Sequence, residues 1–230
     1  MSLLTNIVFY AKFDDNTGST VTESVASHNG TWQGTLGSQW TTGIINSGGN
    51  FNGTNNYVTF GSPSLGLSGN QPFSISLWVN PTATALGAGP FDYGILANNE
   101  RISLLFNDTA GTLLSSHFGN DHAFSTKATL SAWNHLVLTY DGTTEHLYKN
   151  GADTGESWTP ASLSMSGGSL FVGAGLSPTA MKAAKMDEVG FWSRALSSSE
   201  ASQLYNSGSG LQYPFTTGLP SPFLLTQVGS

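Results

Sequence analysis

The stretch from Trp133 to Gly155, WNHLVLTYDGTTEHLYKNGADTG, limits what this chain can fold into more than any other segment. Leu136, Leu138 and Tyr140 alternate with His135, Val137 and Thr139, which is the period-2 signature of a strand. Asp141–Gly142 and Asn150–Gly151 are dipeptides that tolerate the positive φ angles of tight hairpin turns. The segment therefore reads as two strands joined by one turn and ended by another. Such a meander needs a second sheet to bury its apolar face, so the rest of the chain is predicted to be a β-sandwich.

Further strands follow from the same pattern. Ile7–Phe13 places Ile7 and Phe9 on one face, and Phe73–Val79 alternates Phe73, Ile75, Leu77 and Val79 with Ser74, Ser76 and Trp78. Tyr93–Ala97, Arg101–Phe106, Leu113–Phe118, Leu170–Val172 and Met186–Trp192 complete the main set. Thr31–Trp40 is loosely patterned and reads as an edge or loop. The segments holding His117–His122 and Trp158 read as loops. One helix is expected near the end: Ser197 and Glu200 form a capping box ahead of Ala201, Leu204 and Tyr205, and Gly208 offers a left-handed stop. Residues 1–212 make one domain. Tyr213–Ser230 is an uncharged arm that either packs along a sheet edge or docks onto another subunit.

Composition narrows the function. Seven basic residues stand against fourteen acidic ones in 230, and the basic ones form no stripe, so nucleic acid is not an expected partner. No cysteine is present, which excludes disulfides, thiolate metal sites and thiol nucleophiles. No window approaches the roughly 20 apolar residues of a membrane span. The N-terminal MSLLTNIVFYAKFDD lacks the basic region of a signal peptide, so the expected setting is extracellular, after trimming of a precursor or by another route of exit, or virion-associated.

Four motifs in order carry a family resemblance: FDDNTGSTVTES at Phe13–Ser24, ISLWVNP at Ile75–Pro81, WNHLVLTYDGTTEHLYKNG, and MDEVGFWSRALSSSEASQLY at Met186–Tyr205. Together they resemble the laminin G-like, concanavalin A-like lectin/glucanase jelly rolls over Ile7–Leu211. The resemblance implies an all-β, two-sheet antiparallel jelly-roll sandwich with one short C-terminal helix. It spans sugar-binding modules of glycosidases, adhesion domains and parts of phage tails and virions, and so does not fix function. It also implies a structural calcium between an acidic loop near the first strand and the Asp that opens the last long strand. The matching positions are Asp14 or Asp15, the turn around Asn29, and Asp187. These residues read equally as turn formers and a strand cap. Where relatives carry Asp-Ser-Ser-Gly-Asn-Gly-Asn, this chain has Glu23–Asn29, with Glu for Asp and the loop glycines missing.

For carbohydrate recognition, an aromatic face flanked by amides and carboxylates suits a pyranose, which has an apolar face and a hydroxyl rim. Trp78, opposite the core face of its strand, and Trp158 are the stacking candidates. Asp153 and Glu156, beside Trp158, and Asp121, in another loop with His117, Asn120 and His122, are the hydroxyl acceptors. Packing in the core or at an edge is the competing reading of each indole. A glycosidase needs two carboxylates on one face, and adjacent Asp187 and Glu188 should point to opposite faces of a strand. The chain is therefore expected to be a non-catalytic recognition or adhesion module, a lectin-like binder of a glycan or protein surface. The alternative is a structural virion or phage tail protein that assembles, as a homo-oligomer or a particle, through its C-terminal arm.

Overall fold

Residues 2–177 and 179–215 are described by the computed structural model. The alternating segments form two antiparallel sheets. Sheet A runs β14 (Ala152–Trp158), β13 (Glu145–Lys149), β12 (Asn134–Tyr140), β7 (Phe73–Pro81), β16 (Ala184–Trp192), β5 (Ser47–Phe51) and β4 (Trp40–Thr42), with β1 (Ile7–Ala11) also paired to β16. Sheet B runs β11 (Asp121–Lys127), β10 (Thr112–Ser116), β9 (Arg101–Phe106), β8 (Phe91–Gly94), β15 (Ser169–Val172), β6 (Tyr57–Thr59), β3 (Gly30–Gln33) and β2 (Thr20–Val21). This is the expected all-β sandwich.

The core sits between the inner faces. Phe73, Ile75, Leu77, Leu136 and Leu138 of sheet A meet Phe91, Tyr93, Ile102, Leu104, Leu170 and Val172 of sheet B, all buried. Phe191 on β16 stacks on Phe73 of its own sheet, with centroids 5.9 Å apart, and on Phe91 of the other, at 5.8 Å. Stacked rings of this kind add to the area they bury.

Sheet A is covered on its outer face as well. The helix α1 (Ser198–Tyr205) starts at the expected capping box, with Ser197 Oγ accepting from the Glu200 amide and Glu200 accepting from the Ser197 amide. It ends at Asn206, in the left-handed region, rather than at Gly208. Arg194 pairs with Glu200 at 2.7 Å and donates to the carbonyls of Ser2 and Thr5, tying the N-terminal turn to the helix. Leu204 and Ala201 join Tyr10, Val137, Tyr148, Trp192 and Phe215 in a second apolar cluster. Tyr213 and Phe215 pack on Tyr10, so the start of the expected arm seals this face. The rest of the arm, 216–230, lies outside the described residues.

That covering corrects the reading of Trp78. Its side chain does point away from the core, but it is 3% exposed, stacked on Tyr205 at 5.6 Å and against His135 at 5.1 Å. His135 in turn faces Ser76 Oγ at 2.9 Å, while His146 lies opposite Thr139. Two segments read as loops are strands: β14, which ends in Trp158, and β11, which begins at Asp121. Both are sheet edges of largely polar sequence, which blurs the alternation. The loose Thr31–Trp40 region likewise contains most of β3 and the start of β4.

Trp78→Ala should destabilise the protein by about 3–5 kcal/mol in urea unfolding, the range for truncating a buried aromatic. An exposed ligand-stacking Trp would leave stability within about 0.5 kcal/mol.

Candidate ligand-binding site

With one face of sheet A against the core and the other under the helix, the outer face of sheet B is the open surface of the sandwich. Inward residues of its strands are apolar, so by alternation their neighbours point out. One outward row crosses all eight strands in register: Thr20, Thr31, Thr59, Phe171, Asp92, Ser103, Ser116 and Asp121. At strand spacings near 4.8 Å the row is roughly 34 Å long.

Its middle is closed. Asp92 and Ser103 are buried, and Asp92 accepts from Arg101 Nε at 2.8 Å, from Ser103 Oγ, and from the Leu176 amide at 2.8 Å. The loop through Gly175 thus crosses the sheet there. Beyond it, over β15, β6 and β3, the face is open. Phe171 and Tyr57 are partly exposed there and lie edge to face, 5.8 Å between centroids. Thr59 and Thr31 continue the row, and Gln33 pairs with Tyr57 on the next one. Neither ring was singled out from the sequence, although the signal was present. Val58 is buried, so Tyr57 must face out; Leu170 and Val172 are buried, so Phe171 must.

The expected acceptors disperse. Asp121 sits at the far end of the row and accepts from Ser116 Oγ at 2.7 Å. His122, next along β11, points to the opposite side and stacks on Trp158 at 5.1 Å. Trp158 lies in the seam between edge strands β14 and β11, partly buried, with His117 also stacked at 6.0 Å. Its indole N–H donates to Glu145 Oε2 at 2.6 Å, and Glu145 Oε1 meets His117 Nε2 at 2.9 Å. His117 Nδ1 faces the Arg101 carbonyl at 2.8 Å, and a carbonyl only accepts, so this nitrogen carries a hydrogen. Burial opposes protonation of His117, but the hydrogen bond and charge of Glu145 outweigh it and raise its pKa. Glu156 accepts the amides of Ser125 and Thr126 and so clamps β14 to β11. Asp153 is exposed and accepts from the Gly155 amide, apart from the others. The stacking of Trp158 on His117 and His122 joins two segments that the sequence reading kept apart. It holds the seam together.

The expected calcium ligands have other partners. Asp14 accepts from Asn46, the Ser47 amide and Gln212; Asp15 from Thr22; Asn29 from the Glu23 amide. Asp187 accepts the amides of Ile44, Ile45 and Glu188. Among the described residues no three His, Cys, Asp or Glu side chains gather as a metal site requires. The residues present do not fit a calcium.

Asp187 and Glu188 also break the expected alternation. The β16–β7 register shifts between Asp187 and Gly190, and Glu188 has φ +51°. Both carboxylates are buried. Burial, then the charge of Glu188, pushes Asp187 up to about 9, and burial pushes Glu188 up to about 7 despite hydrogen bonds from Tyr10 and Gln212. Glu200 moves the other way: burial raises it, but Arg194 and Ser197 outweigh that and bring it to about 2.

These shifts set a pH profile. A carboxyl whose pKa is higher folded than unfolded holds its proton in the folded state, so stability is lost as pH rises between the two values. For Glu188 that window runs from the ordinary 4.5 to about 7. For Asp187 it runs from 3.8 to about 9. Raised His117 adds stability below its ordinary 6.5 that also disappears on the alkaline side. Lowered Glu200 contributes above 4.5 and is lost on acidification toward 2. Urea midpoints from pH 4 to 9 should therefore be highest near pH 4 and decline to pH 9, with Glu188 accounting for about 3 kcal/mol at most. Glu188→Gln should flatten the decline up to pH 7, and a level wild-type profile would contradict the assignment.

Comparison with known proteins supports the fold. A profile of the concanavalin A-like lectin/glucanases superfamily matches residues 52–202. No curated protein sequence matches significantly. Among solved structures, domain 4 of AbnA, a GH43 extracellular arabinanase from Geobacillus stearothermophilus in complex with arabinotriose, is 23% identical. It has a TM-score of 0.68 and covers 86% of this chain and 97% of its own. Trypanosoma rangeli sialidase in complex with sialic acid is 17% identical, TM-score 0.63, over 88% of this chain but 33% of the sialidase. The binding domain of Paraclostridial Mosquitocidal Protein 1 is 17% identical, TM-score 0.60, over 88% of this chain and 52% of that one. At these identities the likeness is one of fold. The chain belongs to the concanavalin A-like lectin/glucanase superfamily.

Proposed function

We propose that this chain is a non-catalytic, extracellular recognition module that binds a glycan on the open part of sheet B, with Tyr57 and Phe171 as the stacking platform. The observation that carries this reading is the placement of two partly exposed rings on an open sheet face, beside the hydroxyls of Thr31 and Thr59 and the amide of Gln33. A sugar offers an apolar face to the rings and hydroxyls to the polar neighbours. The arabinanase domain, similar over nearly its whole length and recorded with arabinotriose, supports a sugar as the ligand class. Burial of Asp187, Glu188 and Glu145 supports a binding role, since none is placed to meet a glycosidic bond in solvent.

The test is binding to arabino-oligosaccharides and to a broad glycan array, wild type against Tyr57→Ala and Phe171→Ala. Each substitution should weaken binding about tenfold or more, the loss of one stacking contact of about 1.4 kcal/mol. Asp153→Ala should leave binding unchanged. Undiminished binding by both ring variants would move the site elsewhere, and absence of any glycan ligand would remove the reading.

A further inference from the structure

The loop at residues 23–29 occupies the place where the family resemblance leads one to expect a cation, and its chemistry is of the opposite sign. Glu23 is 2% exposed. Its Oε1 accepts the amides of Tyr10 at 2.9 Å and Val25 at 2.8 Å, and its Oε2 accepts those of Ala26 at 2.7 Å and His28 at 3.2 Å. The Glu23 amide donates to Asn29 Oδ1 at 3.0 Å, closing the loop on itself. Ser27 takes a left-handed φ of +61° to make the turn.

We propose that the Glu23 carboxylate takes the place of a bound cation as the organiser of this loop, so that the domain is held together without calcium. A calcium loop turns six to eight oxygens toward its centre. Here three N–H groups of the loop, those of Val25, Ala26 and His28, and that of Tyr10 on β1 point at an anion, and charge-assisted bonds of that kind are about twice as strong as neutral ones. The positive ends of those amide dipoles lie where a cation would need lone pairs.

Asp187, another of the expected calcium ligands, is likewise engaged by backbone amides. Gly43 comes so close to Asp187 that a Cβ there would lie 2.3 Å from Oδ2, and this approach lets the Ile44 and Ile45 amides reach that oxygen at 2.8 and 3.0 Å. Asp14 is engaged by Gln212 at 2.7 Å and by Asn46 at 3.1 Å. A cavity of about 270 Å³ remains beside Asp14 and Asp15, but Lys12 lines it as well.

The experiment uses the whole chain and calcium itself, with melting and calorimetry as readouts, so it is independent of whether a glycan binds. Melting midpoints in 2 mM EDTA and in 5 mM CaCl₂ should agree within about 1 °C. A site with the ~0.1–1 mM affinity of extracellular calcium modules would instead raise the midpoint by several degrees. Titration with CaCl₂ should release no saturable heat. Glu23→Gln, which keeps the side chain's size, should lower the midpoint by several degrees, equally in EDTA and in calcium. A calcium-dependent rise in the wild type, a one-to-one binding isotherm, or an unchanged midpoint in Glu23→Gln would each overturn the proposal.

Discussion

Phe191 is the point on which the sandwich closes. Its ring lies against Phe73 within sheet A and against Phe91 across the interior, so one side chain joins the two layers at the centre of the apolar core. The layers can meet there because each strand devotes alternate positions to the interior. Once they meet, every polar position on sheet A must face either solvent or a further layer. The chain supplies that layer itself, from α1, the N-terminal turn and the segment ending at Phe215. On sheet B, among the described residues, a loop crosses at Asp92 through the Leu176 amide. The open surface is thus a consequence of where the terminal segments pack.

A second device recurs through the molecule. Charged residues are few, yet six of the fourteen acids (Glu23, Asp92, Glu145, Asp187, Glu188 and Glu200) are buried. Each has N–H or O–H donors around it: four amides at Glu23, Arg101 and an amide at Asp92, His117 and Trp158 at Glu145, three amides at Asp187, Tyr10 and Gln212 at Glu188, and Arg194 at Glu200. Burying a carboxylate is unfavourable unless such donors surround it, and when they do the loop that supplies them is fixed in shape. In a chain without disulfides this gives long connections a defined course. The same requirement explains why the expected ligand residues are unavailable to a ligand. Trp158 donates to Glu145, Asp14 accepts from Asn46, Gln212 and the Ser47 amide, and Glu156 and Asp187 accept backbone amides.

The functional reading follows from subtraction. Trp78 lies beneath a helix, Trp158 is held in a seam, and the carboxylates that might have formed a catalytic pair are buried at a bulge. Among the described residues, Tyr57 and Phe171 lie partly exposed beside hydroxyls and an amide, and the proposed glycan site rests on that placement.

Much of the architecture was legible in the sequence. Alternation in Phe73–Val79 and Asn134–Tyr140, the Asp-Gly and Asn-Gly turns, and the Ser197–Glu200 capping box are local signals, since each depends on residues within a few positions. Edge strands β11 and β14 were not legible, because their polar residues face solvent on one side and a seam on the other. The outward direction of Tyr57 and Phe171 was implied by the burial of Val58, Leu170 and Val172. The sequence by itself determined which residues of a strand share a face. Only the tertiary structure decided which faces are covered, because a helix 120 residues after Trp78 covers one sheet, while among the described residues the end of the other stays open. Pairing of that kind depends on how distant segments pack, and no local periodicity records it.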